Sequence, residues 1–222
     1  HFDYIDKYYT PFIPAAKRMN AKIKRDIDPV NNDGITLIPQ AMSIVADEVI
    51  DLHRQLVPYG YDEINVNLGC PSGTVVSKKR GSGILAYPDM LDSFLDELYT
   101  KADFPVSIKT RVGFNDDELW PRLIEIYSKY PISELTVHPR VQKDFYKNTP
   151  RMDDFALAMQ KINPDKTTLC YNGDITDINS FNALTDCFPD IDEIMIGRGL
   201  FANPALIAEL KGISMDKAEL RE

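Results

Sequence analysis

Short runs rich in aliphatic and β-branched residues recur along the chain, separated by stretches whose apolar positions repeat at helical spacing. The runs predict strands at Ile5–Phe12, Thr36–Gln40, Glu63–Leu68, Val106–Thr110, Glu134–His138, Thr168–Tyr171 and Glu193–Ile196. They read as near-continuous apolar segments with little alternation, as strands buried on both faces should. Between them, Ile44, Val45, Val49, Ile50, Leu52 and Leu56 line one helical face, with Asp47, Glu48, Asp51 and Arg54 turned outward. A second helix opens on Pro88 and runs through Leu98. A third starts behind the acidic triplet Asp116-Asp117-Glu118 and carries Leu123, Ile124, Ile126 and Tyr127.

Strand starts fall 25 to 43 residues apart, near the ~30 per unit expected when ~250 residues build eight βα units. The alternation predicts a parallel α/β fold, and a TIM (β/α)8 barrel is favoured over an open doubly wound sheet. Seven strands are counted where a barrel needs eight, so the first strand is expected to be missing. Residues 1–222 read as one domain, with no linker and no internal repeat.

The polar ends of these strands favour the barrel. Taken in order they are Gln40, Asn67 with Cys70, Lys109 with Arg111, His138 with Arg140, Asn172 with Asp174, and Gly197 with Arg198. A barrel collects its active site from the carboxyl ends of many strands, whereas a doubly wound sheet gathers ligands only at its switch point. The last two ends, Asn172-Gly173-Asp174 and Gly197-Arg198-Gly199, combine glycines that admit an anion with a guanidinium fork. This is the chemistry of a phosphate site. Lys109 points toward the barrel mouth as an anion or cofactor ligand. His138 is read equally as a ligand or as a satisfied core histidine.

Composition narrows the picture. A chain of 222 residues with 44% hydrophobic content is a folded globular protein. No apolar run approaches the ~18 residues of a membrane span, and no charged-then-apolar leader is seen, so a cytoplasmic location is expected. Three cysteines at long spacing fit neither a disulfide framework nor a zinc site, and no metal is expected. A net charge of −9 opposes non-specific nucleic-acid binding, so an RNA substrate would need a local basic patch or a further part of the protein.

Cys70 stands apart. In Asn67-Leu68-Gly69-Cys70-Pro71 the thiol sits on a turn just past a strand, followed by the basic loop Lys78-Lys79-Arg80-Gly81-Ser82-Gly83. A thiol of ordinary pKa, about 8.5, is protonated at neutral pH and can donate to a developing carbanion. It can also attack as a thiolate, but no motif identifies the base this would require. Cys170, within a strand, and Cys187, near a helix end, are read as structural.

Five blocks in order resemble the tRNA-dihydrouridine synthases. They are Asn67 to Pro71 with Lys78 to Gly83, then Lys109-Thr110-Arg111, then His138-Pro139-Arg140 through Tyr146, then Asn172-Gly173-Asp174, then Gly197-Arg198-Gly199 with Asn203-Pro204. The resemblance implies an FMN-dependent oxidoreductase that uses NADPH to reduce the C5–C6 bond of uridine in tRNA. FMN would pass a hydride to C6, and Cys70 would give a proton to C5. It assigns Gln40, Lys109, His138, Asn172, Gly173, Asp174, Gly197 and Arg198 to the flavin. Asn67, Arg140 and Tyr146 fall to the substrate, whose base must be unstacked to reach the pocket. No obligate protein partner is implied. The family's opening alanine-proline-methionine strand and its C-terminal helical domain are not found in this sequence. The alternatives are an FMN barrel acting on a free pyrimidine, of the dihydroorotate or dihydropyrimidine dehydrogenase type, and a non-catalytic RNA-binding protein.

Overall fold

A computed structural model of the protein describes residues 5–14 and 18–213. In chain order the elements are β1 Tyr8–Tyr9, β2 Ile13–Pro14, α1 Ala21–Asp26, β3 Leu37–Ile38, β4 Gln40–Met42, α2 Ala46–Leu56, β5 Ile64–Leu68 and α3 Gly73–Val76. They continue as α4 Pro88–Lys101, β6 Val106–Gly113, α5 Trp120–Tyr127, β7 Glu134–Val141, α6 Met152–Lys161, β8 Thr168–Tyr171, α7 Ile178–Cys187, β9 Glu193–Ile194, α8 Arg198–Ala202 and α9 Leu206–Leu210.

Seven strands pair in the order β2-β4-β5-β6-β7-β8-β9, all parallel, and β1 pairs with β3 alongside. The order follows the sequence without reversal. A doubly wound sheet reverses at its switch point, so this is the strand order of a barrel. The sheet also curls: Lys7, beside β1, reaches Glu134 of β7 and Glu193 of β9. Among the described residues no backbone pairing joins β9 back to β1 or β2, and the barrel is not closed. No described helix is long and apolar enough to cross a membrane.

The strand expected over Ile5–Phe12 is real but divided. Tyr8 pairs with Leu37 while Ile13 pairs with Ala41, so the register slips by one residue around Pro11, which has no N–H to offer a ladder. Its neighbour, expected over Thr36–Gln40, breaks at Pro39 for the same reason. In contrast β6 and β7 run further than expected, to Gly113 and Val141. Arg111 and Arg140 therefore lie within strands. The β6–β7 register shifts opposite Pro139, again where a proline cannot donate.

Burial along β5, β6 and β7 is nearly continuous, as expected, but the chemistry alternates. Ile64, Val66 and Leu68 of β5 share one face, and Asn65 and Asn67 share the other. Ser107, Lys109 and Arg111 continue the polar face on β6, and Glu134, Thr136, His138 and Arg140 on β7. The apolar face packs against helices whose core residues include Leu52, Leu95, Leu98, Leu123 and the fully buried Trp120. The barrel interior is instead a hydrogen-bonded polar core. That is why it can host chemistry.

Candidate active site

A cavity of about 1180 Å³ occupies the sheet interior. Cys70, Lys109, His138 and Arg198 all line it, and so does each sequence-predicted site residue except Arg140. These residues come from six strand ends, from Gln40 to Arg198. Only a curled parallel sheet brings them to one wall.

The Cys70 turn is held from both sides. The Asn67 side-chain oxygen accepts from the backbone N–H groups of Gly69 (3.1 Å) and Cys70 (2.9 Å). The Cys70 carbonyl accepts from the Ser82 backbone (3.1 Å) and hydroxyl (2.8 Å). Gly81 lies at φ +54, and a Cβ there would stand 2.7 Å from the Cys70 carbonyl. The glycines of the Lys78–Gly83 loop thus let it press onto the cysteine turn. Cys70 is half-buried and unpaired. Asn67, expected to orient a base, has its amide committed to this turn and to Gln40.

Lys109 donates to the Asn172 side-chain oxygen at 2.6 Å, and burial followed by the charge of Arg111 pushes its pKa down to about 8. The His138 pKa is pushed down to about 2, first by burial and then by Lys109, Arg111, Arg140 and Arg198. His138 is therefore neutral at any working pH. Arg140 approaches its Nε2 at 3.1 Å, and because an arginine only donates, Nε2 accepts and the proton rests on Nδ1. An enclosed cation, a neutral imidazole donor and the Gln40 and Asn172 carboxamides form a donor set suited to the heteroatom edge of a flavin. Gly197 leaves open space where a Cβ would stand, so backbone can approach a ligand there. The residues present fit FMN, and the volume exceeds what a typical single small ligand fills.

Arg140 is placed differently from the expectation of a substrate contact. Its side chain is buried and pairs with both oxygens of Asp174, while its Nε donates to the Asn148 carbonyl. It supports the wall from beneath because β7 continues past His138 and carries it inward. Asp174 in turn holds Arg198 at 2.5 Å, and Arg140 keeps its carboxyl below the usual range. The Arg198 guanidinium lies 4.7 Å from the exposed Tyr146 ring, with Arg111 5.5 Å away. Gly173, expected as an anion contact, lines the cavity, and a Cβ there would also come within 2.1 Å of the Tyr171 hydroxyl.

Two features went unread in the sequence. Arg111, noted only as a strand-end group, donates to the carbonyls of Gly69 (2.9 Å), Val141 (3.0 Å) and Phe145 (2.8 Å), tying the Cys70 turn to the Tyr146 loop. Gln142 adds a bond to the Pro71 carbonyl at 2.8 Å. Deeper in the cavity, Glu134 accepts from Lys7 (2.5 Å) and Tyr9 (2.8 Å), and Lys7 also meets Glu193 at 2.8 Å. Glu134, Cys170 and Glu193 lie within 4.8 Å of one another, but the Lys7 ammonium already sits between the carboxylates. A glutamate opening a strand looks like an ordinary flank, so only the fold reveals it. Cys170 is buried, whereas Cys187 is exposed and is not a packing residue.

The sequence matches the dihydrouridine synthase (Dus) family profile over residues 4–221. The chain belongs to the dihydrouridine synthase family. It is 29% identical to tRNA-dihydrouridine synthase B of Pasteurella multocida (strain Pm70), over 75% of this chain and 49% of that protein. It is 34% identical to a probable tRNA-dihydrouridine synthase of Staphylococcus aureus (strain Mu50 / ATCC 700699), over 68% of this chain and 46% of the other. With tRNA-dihydrouridine synthase B of Escherichia coli (strain K12) the identity is 30%, over 78% and 53% respectively. The chain thus spans about half the length of the curated relatives it matches. Membership of the dihydrouridine synthase family agrees with a TIM-barrel fold and with the unreversed strand order.

Proposed function

We propose that the protein reduces uridine to dihydrouridine in tRNA, using FMN as cofactor and NADPH as reductant, with residues 1–222 contributing one catalytic barrel domain. The observation that carries this reading is the presence of Cys70 on the same cavity wall as Lys109, His138 and Arg198. Saturating the C5–C6 bond needs a hydride at one carbon and a proton at the other. The flavin supplies the hydride when bound. Cys70 gives up its thiol proton to C5, and the resulting thiolate regains one from solvent.

The other residues bind and orient. Lys109 and the Nδ1 proton of His138 are donors for the flavin's oxygen and nitrogen edge, with Gln40 and Asn172 beside them. The segment from Gly197 to Arg198 takes the phosphate end, where the guanidinium counters the anion. Tyr146, exposed between two arginines, offers a ring on which an unstacked base can rest. Around His138, the cations Lys109, Arg111, Arg140 and Arg198 gather at one end of a cavity whose other walls carry carboxylates, and Asp174 pairs with two of them. The preference for NADPH rests on the resemblance alone. Unpaired cysteines suit the cytoplasm, where a tRNA-processing enzyme would act.

The test is turnover on unmodified tRNA and on free uracil, with dihydrouridine read by nucleoside mass spectrometry. Cys70→Ala should lower tRNA reduction by ~10²–10⁴-fold, the range for losing a positioned acid. Unchanged turnover by Cys70→Ala, or reduction of free uracil in preference to tRNA, would refute the proposal.

A further inference from the structure

Asn65 of β5 is fully buried and does not line the cavity. Its side chain nevertheless bonds in two directions. Nδ2 donates to the Ser107 hydroxyl at 3.1 Å, and Oδ1 accepts from Gln40 Nε2 at 2.8 Å. Gln40 Oε1 then accepts from Asn67 Nδ2 at 2.6 Å, and Asn67 Oδ1 accepts from the Gly69 and Cys70 amides. A continuous line of hydrogen bonds thus crosses from β6 through β5 and β4 to the cysteine turn.

The direction of this line is forced. Backbone N–H groups can only donate, so Asn67 must present its oxygen to Gly69 and Cys70. Its nitrogen then faces Gln40, which must answer with oxygen and turn its own nitrogen toward Asn65. Gln40 lines the cavity, and two of its hydrogen-bonding sites are already taken. What remains for a ligand is one amide hydrogen and one lone pair, in fixed positions.

We infer that Asn65 is a positioning residue, anchoring a carboxamide relay that locks the sense of Gln40 to the turn carrying Cys70. A flavin edge bound at Gln40 and the placement of the thiol are therefore energetically coupled, and the coupling acts in both directions. The inference rests on the proposed roles of Gln40 and Cys70, but its test does not require turnover.

The full-length protein would be examined as Asn65→Leu and Asn65→Asp. Leucine severs the line at β5, leaving Gln40 Nε2 without its acceptor and the amide held only through Oε1 by Asn67. Aspartate keeps an oxygen facing Gln40 and can still bond the Ser107 hydroxyl. Two quantities are read: the rate of Cys70 alkylation by iodoacetamide, separated from Cys187 by peptide mass spectrometry, and the FMN dissociation constant. Loss of a buried hydrogen bond is equivalent to roughly tenfold in an equilibrium constant. N65L should therefore bind FMN ~10-fold more weakly and alkylate at an altered rate, while N65D stays within about 2-fold of wild type on both. If N65L does not fold, Ser107→Ala, which removes only the last link, should shift both readouts by about 3-fold. Wild-type values for N65L (or for S107A in its place) would overturn the inference, as would N65D shifting as far as N65L. Unchanged tRNA reduction by C70A would instead sink the proposed function and leave the relay standing.

Discussion

Replacing Arg111 by methionine removes three donors from a buried position at once. The carbonyls left behind are those of Gly69, Val141 and Phe145. A hydrogen bond to a charged group contributes about 1.5–3 kcal/mol, so simple addition would give roughly 4.5–9 kcal/mol. That sum is too large for two reasons. Gly69 is half-buried and Phe145 exposed, so water can reach their carbonyls, while Val141 is buried and stays unsatisfied. Removing the guanidinium also relieves its own desolvation, which already pulls its pKa below the usual arginine range. About 3 kcal/mol remains, near the value of one fully lost charged bond plus partial losses at the others. For a chain of this size 1 kcal/mol moves Tm by ~2–4 °C, so R111M should melt roughly 6–12 °C lower in calorimetry. Arg111→Lys keeps the charge but cannot span three acceptors, and should recover less than half of that loss. Limited proteolysis should open first at residues 142–148. A fall in Tm below about 2 °C for R111M, or full recovery by R111K, would refute the bracing role.

Further outcomes follow from the geometry. His138 should show the neutral Nδ1–H form by ¹⁵N NMR from pH 5 to 8; an imidazolium signal at pH 5 would contradict its cationic, buried setting. Asp154 has its pKa raised to about 7 by burial and by Asp117. A carboxyl raised above its unfolded value of about 3.9 stabilises fully below that pH, and its contribution is lost as pH rises through about 7. Asp154→Asn should therefore gain stability relative to wild type between pH 5 and pH 8, read as Tm, and a pH-independent difference would exclude this. Gly81→Ala combines a left-handed backbone with a 2.7 Å approach to the Cys70 carbonyl. It should cost about 2–4 kcal/mol in urea unfolding, and less than 1 kcal/mol would mean the loop shifts freely.

The fold class was legible in the sequence because parallel strands and amphipathic helices leave local, periodic marks. Strand bounds were less so. Pro11 and Pro39 divide two strands, and Pro139 is absorbed by a register shift that lets β7 run on to Val141. Whether a proline ends a strand or is bridged depends on its partner's register, which is not a local property. The cavity lining was legible at Cys70, Lys109, His138 and Arg198 because those side chains stand at strand ends, where motif and position coincide.

Which polar residues face the cavity, and which only hold its wall, was decided by the tertiary structure. Arg140 and Arg198 are the same residue type near successive strand ends, yet one is buried beneath Asp174 and the other lies at the cavity mouth. Residue type fixed what each group can donate. The depth of each strand in the curled sheet fixed what it meets, because parity along a strand selects the face and register selects the level. For Asn65, Gln40 and Asn67 even the orientation of each amide was set through space, by backbone donors on the turn that carries Cys70.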